Sequence, residues 1–159
     1  MGVQISADKQ LEAFIGKYEE RIAAQAREAL KTLRRLLPGA TELVYDNYNA
    51  LAIGFATGDR GSDVIVSLTL YPRWISLFFT QAAGLDDPDG LLEGSGSQIR
   101  HVRLGSVPPS DARVHDLLRR AAAARGAMFD GSQPRHAIIK SISAKQRPRR
   151  PRGENDGTR

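Results

Sequence analysis

Residues 63–81, DVIVSLTLYPRWISLFFTQ, decide the fold. Two apolar runs flank Tyr71-Pro72-Arg73, and a proline break this short between strand-like runs reads as a tight turn. In the first run Val64, Val66, Leu68 and Leu70 alternate with Ile65, Ser67, Thr69 and Tyr71. In the second, Ile75, Leu77 and Phe79 alternate with Trp74, Ser76, Phe78 and Thr80. Neither run has a plainly polar face, which predicts two strands at the centre of a sheet.

Working upstream, Glu42 to Tyr45 and Tyr48 to Phe55 read as two further strands, with Asp46-Asn47 as the turn. Leu51, Ile53 and Phe55 share one face of the second. Ala50, Ala52 and Gly54 share the other, a small face on which a helix is expected to pack. Further back, apolar residues recur in steps of three and four from Leu11 through Phe14, Tyr18, Ile22 and Ala26 to Leu33. This spacing predicts a long N-terminal helix, with Gly16 as the weak point where it is one helix or two. Ser6 is the expected cap and Pro38-Gly39 the stop.

Downstream, 82–97 reads as a Gly-, Asp- and Pro-bearing loop with a helical turn near Leu91. Gln98 to Leu104 reads as a strand. Ser110 is the expected cap of a second helix that buries Val114, Leu117, Leu118 and Ala121 and ends at Gly126. His136 to Ile142 reads as an edge strand. The expected architecture is an α+β two-layer sandwich: a mainly antiparallel sheet of five to six strands, with both helices on one face. One domain, 1–143, is expected, followed by a disordered basic Pro/Arg-rich tail, 144–159.

The 159 residues carry a net charge of +5. Residues 135–159 hold eight Lys or Arg against Glu154 and Asp156, a net of +6, so 1–134 carry the remaining −1. The folded part is near neutral, unlike a uniformly basic nucleic-acid-binding domain. The absence of cysteine excludes disulfides, thiolate nucleophiles and Cys-based metal sites, and it fits a reducing, cytoplasmic location. No apolar run is long enough to span a membrane, and no secretory signal pattern opens the chain.

The segments PGATELVYDNYNALAIGF (38–55), LTLYPRWISLFF (68–79), LLEGSGSQIRHVRL (91–104) and IIKSISAKQRPRR (138–150) resemble the YdhG-like domain family of unknown function, over about residues 11–150. The resemblance implies a small α+β sandwich, frataxin-like in outline, and in one branch an intracellular iron chaperone. Frataxin-type iron binding relies on an acidic ridge. The first helix here instead mixes Glu19, Glu20 and Glu28 with Lys17, Arg21, Arg27 and Lys31, the pattern of a laced solvent face.

Three places carry candidate binding chemistry. Tyr45, Asp46, Asn47, Tyr48 and Asn49 crowd polar and aromatic groups into a turn and, with Arg73 and Trp74, are candidates to line a small-ligand pocket. Gly94 and Gly96, followed by Arg100 and His101, offer amides and a guanidinium to an anion, although the full G-x-G-x-x-G pattern fails. Lys145, Arg147, Arg149, Arg150 and Arg152 are candidates for weak, salt-sensitive nucleic-acid contact, with no aromatic residue in the tail to stack on bases. His101, His115 and His136 have no metal-ligand spacing, and no nucleophile elbow, Walker loop or H-E-x-x-H is present. The expectation is a non-enzymatic binder of a small ligand or protein partner, without cofactor or metal. The alternatives are an iron chaperone and a weak nucleic-acid binder.

Overall fold

A computed structural model describes residues 5–151. Helices α1 (Ala7–Ile15) and α2 (Glu20–Leu36) lead into strands β1 (Thr41–Asp46), β2 (Leu51–Ala56), β3 (Val64–Leu70), β4 (Ile75–Phe79) and β5 (Arg100–Leu104). Helix α3 (Ala112–Ala124) and strand β6 (His136–Ile142) follow. The strand order is β5-β4-β3-β2-β1-β6. The 63–81 hairpin is β3–β4, and each of its strands has neighbours on both sides. Neighbours from β1 to β5 run antiparallel, while β6 returns beside β1 in parallel. The sheet is therefore mixed, and the molecule is α+β with its helices on one face.

The predicted long N-terminal helix is two helices. Residues 16–19 leave the helical path after Gly16, and Tyr18 turns inward to complete burial. Its hydroxyl donates to the Leu70 carbonyl (3.0 Å) and accepts from the Leu51 amide (3.2 Å), so it ties the ends of β2 and β3 together. An unbroken helix would not bring the phenol there. Burial lifts the Tyr18 phenol from 10 to about 12, against the opposing pull of Arg149. A phenol raised in the folded state contributes stability below pH 10 that is lost as the pH climbs from 10 towards 12. Tyr18→Phe is expected to cost about 1–3 kcal/mol at pH 7, because the Leu51 amide and Leu70 carbonyl lose their partner. The gap to wild type should narrow at pH 11, measured by urea unfolding at both pH values. A gap that stays constant would show that the buried hydroxyl does not couple folding to pH.

The helices cover the face that presents Val44, Leu51, Ile53, Phe55, Val66, Leu68, Leu70, Ile75, Leu77 and Phe79. The small face of β2 points the other way, contrary to expectation. Burying one large apolar side chain contributes about 1.5–3 kcal/mol, so the helices take the face with more to bury. A bulge in β3 serves the small side. Phe55 pairs with Val66 but Ala56 with Val64, which leaves Ile65 as the extra residue. Val64 then lies on Gly54, where an added Cβ would sit 2.8 Å from Val64 Cγ2.

Helix α3 is capped by the Asp111 side chain, which accepts from the Arg113 amide at 2.8 Å, rather than by Ser110. Gly126 ends it with φ 65°, as expected of a left-handed C-terminal cap. No helical turn forms near Leu91. The Asp87 carboxylate instead accepts from the amides of Leu91 and Leu92, a local alternative to helical bonding. The β1–β2 turn lies two residues later than predicted, at Asn47–Ala50.

The expectation of disorder from residue 144 fails as far as Pro151. Residues 143–151 return across the end of the sheet, and Arg149 is only 6% exposed. The remaining tail candidate, Arg152, lies outside the described residues. No helix among the described residues is long and apolar enough to cross a membrane.

Candidate functional site

Registers place Asp46, Leu51, Leu70, Ile75 and Leu104 in one row across the sheet. Both hairpin tips, Asn47–Ala50 and Tyr71–Trp74, therefore project from the same end. In each the first residue's amide donates to the last residue's carbonyl, at 3.0 and 2.9 Å, so the loops proper are Tyr48-Asn49 and Pro72-Arg73. No described non-glycine residue has positive φ, which leaves unprimed, type I-like bends. Pro72 presets the φ that its position needs.

The returning segment is stitched to the first tip. The Ser143 amide donates to the Asp46 carbonyl and the Arg147 amide to the Tyr48 carbonyl, both at 2.9 Å. Arg149 then points inward. Its Nη2 donates to Asp46 Oδ1 at 2.9 Å and also to the Asn47 carbonyl. Asp46 faces the helix layer and is 1% exposed, so this is a buried ion pair. Asp46 and Arg149 thus hold the end of the sheet together and offer no surface to a ligand.

Between the second tip and the returning segment runs an open groove of about 650 Å³. Tyr71, Pro72 and Trp74 line it from the hairpin, and Arg147, Pro148 and Arg150 from the segment, with Asn49 beside them. The Tyr71 and Trp74 rings stack at 4.9 Å. The Arg103 guanidinium lies 4.4 Å from the centre of the Trp74 ring, and that of Arg147 lies 5.7 Å from Tyr48. Burial raises the Tyr71 phenol above its ordinary value. No carboxylate lines the groove. Among the described residues, Arg73, Arg103, Arg147 and Arg150 have no carboxylate partner. Arg149, between Arg147 and Arg150 in the segment, is turned inward onto Asp46, and the other paired arginines are elsewhere: Arg27 with Glu12, Arg34 with Glu42, Arg113 with Asp111, Arg120 with Asp86 and Arg135 with Asp8.

The candidates thus divide. Trp74, Arg147 and Arg150 come together, with Tyr48 and Arg73 on the adjoining tips. Tyr45 faces the open side of the sheet, where its hydroxyl lies near Gly61. Asn47 contributes its carbonyl to Arg149, and Lys145 is exposed on the returning segment. Gly94, Gly96 and Arg100 belong to the opposite end, since Arg100 pairs with Phe79 at the far end of β4. The Arg100 Nε donates to the Gly96 carbonyl at 2.7 Å, which ties the guanidinium to the glycine loop. His101 lies against Phe78, ring centres 5.2 Å apart, with Glu93 3.9 Å away. The glycine loop and the Asp46–Tyr48 turn do not form one site.

Asn49 stands at the groove as expected of its turn, whereas in the sequence Tyr71 and Pro72 read only as a strand end and a turn, Arg103 groups with the glycine loop, and Pro148 groups with a disordered tail. Tyr71 was legible as the partner of Trp74 across a two-residue turn. Arg103 was not, because its place over Trp74 depends on the pairing of β5 with β4. Three carboxylates of the α1–α2–β1 side are engaged by arginines: Glu42 by Arg34 and Arg135, Glu12 by Arg27, and Asp8 by Arg135. No group of three or more His, Asp or Glu among the described residues is placed to hold a metal ion. Comparisons with protein-family models, curated proteins and solved structures find no match, so the functional reading rests on this geometry.

Proposed function

We propose that the chain is a non-enzymatic binding domain whose groove at the hairpin tips takes an anionic small ligand with a flat ring. The observation that carries this is the lining: Arg147 and Arg150, without a carboxylate partner among the described residues, face a Tyr–Trp stack, and no described carboxylate lines the groove. Guanidinium groups match phosphate or carboxylate oxygens with paired donors, and aromatic faces take a planar partner. The α+β layering also supports the YdhG-like assignment. The iron-chaperone alternative has less support, because the carboxylates Asp8, Glu12 and Glu42 are engaged by arginines.

Trp74, the single Trp of the chain, reports on its own groove. Adenosine monophosphate is expected to quench its emission saturably, and inorganic pyrophosphate to compete. The double variant Arg147→Ala, Arg150→Ala should weaken both about ten-fold or more, as expected for lost charge-assisted hydrogen bonds. Unchanged emission up to millimolar concentrations of both probes would sink the groove reading.

A further inference from the structure

The groove opens onto the uncovered face of the sheet, and that face continues its chemistry. Registers set two rows there. One runs Tyr45, Ala52, Thr69, Ser76, Arg103; the next runs Leu43, Gly54, Ser67, Phe78, His101. Neither row contains a carboxylate, because Glu42 and Asp46 of β1 face the helices; Glu93 stands beside the second row at the β5 edge, 3.9 Å from His101. Over β3 to β5 the floor is small and polar, with Thr69 and Ser76 buried between larger neighbours. Its rims are two flat platforms: Trp74 under the Arg103 guanidinium, and Phe78 beside His101. Trp74 and Phe78 lie four residues apart on the same face, about 13 Å along the strand, far enough for each to take its own base.

We infer that single-stranded nucleic acid binds across the tip groove and onto this open face. The inference rests on the groove reading above and specifies its ligand as a chain of nucleotides. Arg147, Arg150 and Arg73 meet phosphates at the tips. The exposed Arg103 guanidinium, positioned over Trp74, offers a base a stacking partner, and Phe78 with His101 takes a second base. Sequence preference is weak, since every base has a π-face and no donor–acceptor pattern is read. A duplex is disfavoured because its bases are already stacked on one another. Phosphate contact alone would make any polyanion an equal ligand, and the aromatic rims argue against that.

The test uses the full chain with a fluorescent twelve-residue oligodeoxynucleotide, the same strand as a duplex, and polyphosphate of matching charge. Anisotropy and Trp74 emission are read across salt concentrations. The single strand is expected to bind about ten-fold tighter than polyphosphate or duplex, and it alone should quench Trp74 strongly. Arg103→Ala, an exposed substitution, should weaken the oligonucleotide about ten-fold while changing polyphosphate less. Arg147→Ala and Arg150→Ala should each flatten the salt slope of oligonucleotide binding by about 0.7. Polyphosphate or duplex binding as tightly as the single strand would overturn this inference and leave the groove reading standing. Failure of the oligonucleotide, the mononucleotide and pyrophosphate together would overturn both.

Discussion

Arg149→Ala is expected to lower unfolding free energy by about 3–5 kcal/mol, the range for removing one partner of a buried ion pair. The size follows from what the variant leaves behind. Asp46 stays at 1% exposure on the helix face of β1, with its carboxylate deprived of the guanidinium. The carbonyls of Asn47 and Tyr48 lose their arginine donor as well. The double variant Asp46→Leu, Arg149→Leu should recover much of the loss, because removing both charges removes the desolvation problem. Urea unfolding of wild type, Asp46→Leu, Arg149→Leu and the double variant forms a double-mutant cycle. A loss under 1 kcal/mol for Arg149→Ala would mean that the pair is solvated and that residues 143–151 are not docked as described. The same variant should expose the returning segment to proteases, since its remaining ties to the first tip are the Ser143, Gln146 and Arg147 hydrogen bonds.

The sheet was legible because alternation and turn chemistry are local. The 63–81 hairpin, the edge position of β6 and the placement of helices on one face all follow from side-chain periodicity. The docked segment was not legible for the opposite reason. Lys145-Gln146-Arg147-Pro148-Arg149-Arg150 has no apolar residue to bury, and composition alone assigns it to solvent. Its anchor is one buried carboxylate about a hundred residues earlier. A signal existed in β1, where Glu42, Val44 and Asp46 share a face. Once Val44 is placed in the core, two carboxylates accompany it, and buried carboxylates need cationic partners from elsewhere in the chain. Choosing between that face and the Leu43–Tyr45 face required the helix positions, which alternation does not supply. The small face of β2 misled for a related reason. Smoothness permits close packing but does not pay for it, and the helices went to the large side chains.

Glu42 gives the second large effect, and its asymmetry is the informative part. Its carboxylate is fully buried and accepts from Arg34 Nε and Nη2, each at 2.9 Å, with Arg135 Nε at 3.4 Å. Burial is the largest single influence and works against the Arg34 charge, but the Glu42 hydrogen bonds and the attraction of Glu42, Asp8 and Glu12 together outweigh it and raise the guanidinium above its ordinary value. The two sides of the pair are unequal in solvent access: the Arg34 side chain is 33% exposed and that of Arg135 26%, against none for Glu42. Arg34→Ala therefore strands a buried anion with one weaker partner and should cost about 3 kcal/mol, the low end of the range because Arg135 remains. Glu42→Leu should cost clearly less, since both arginines can turn their heads to water and the leucine fills the site. Equilibrium urea unfolding of the two single variants decides between this and simple pair loss. Equal costs would mean that the carboxylate reaches solvent, and the argument from burial would fail with it.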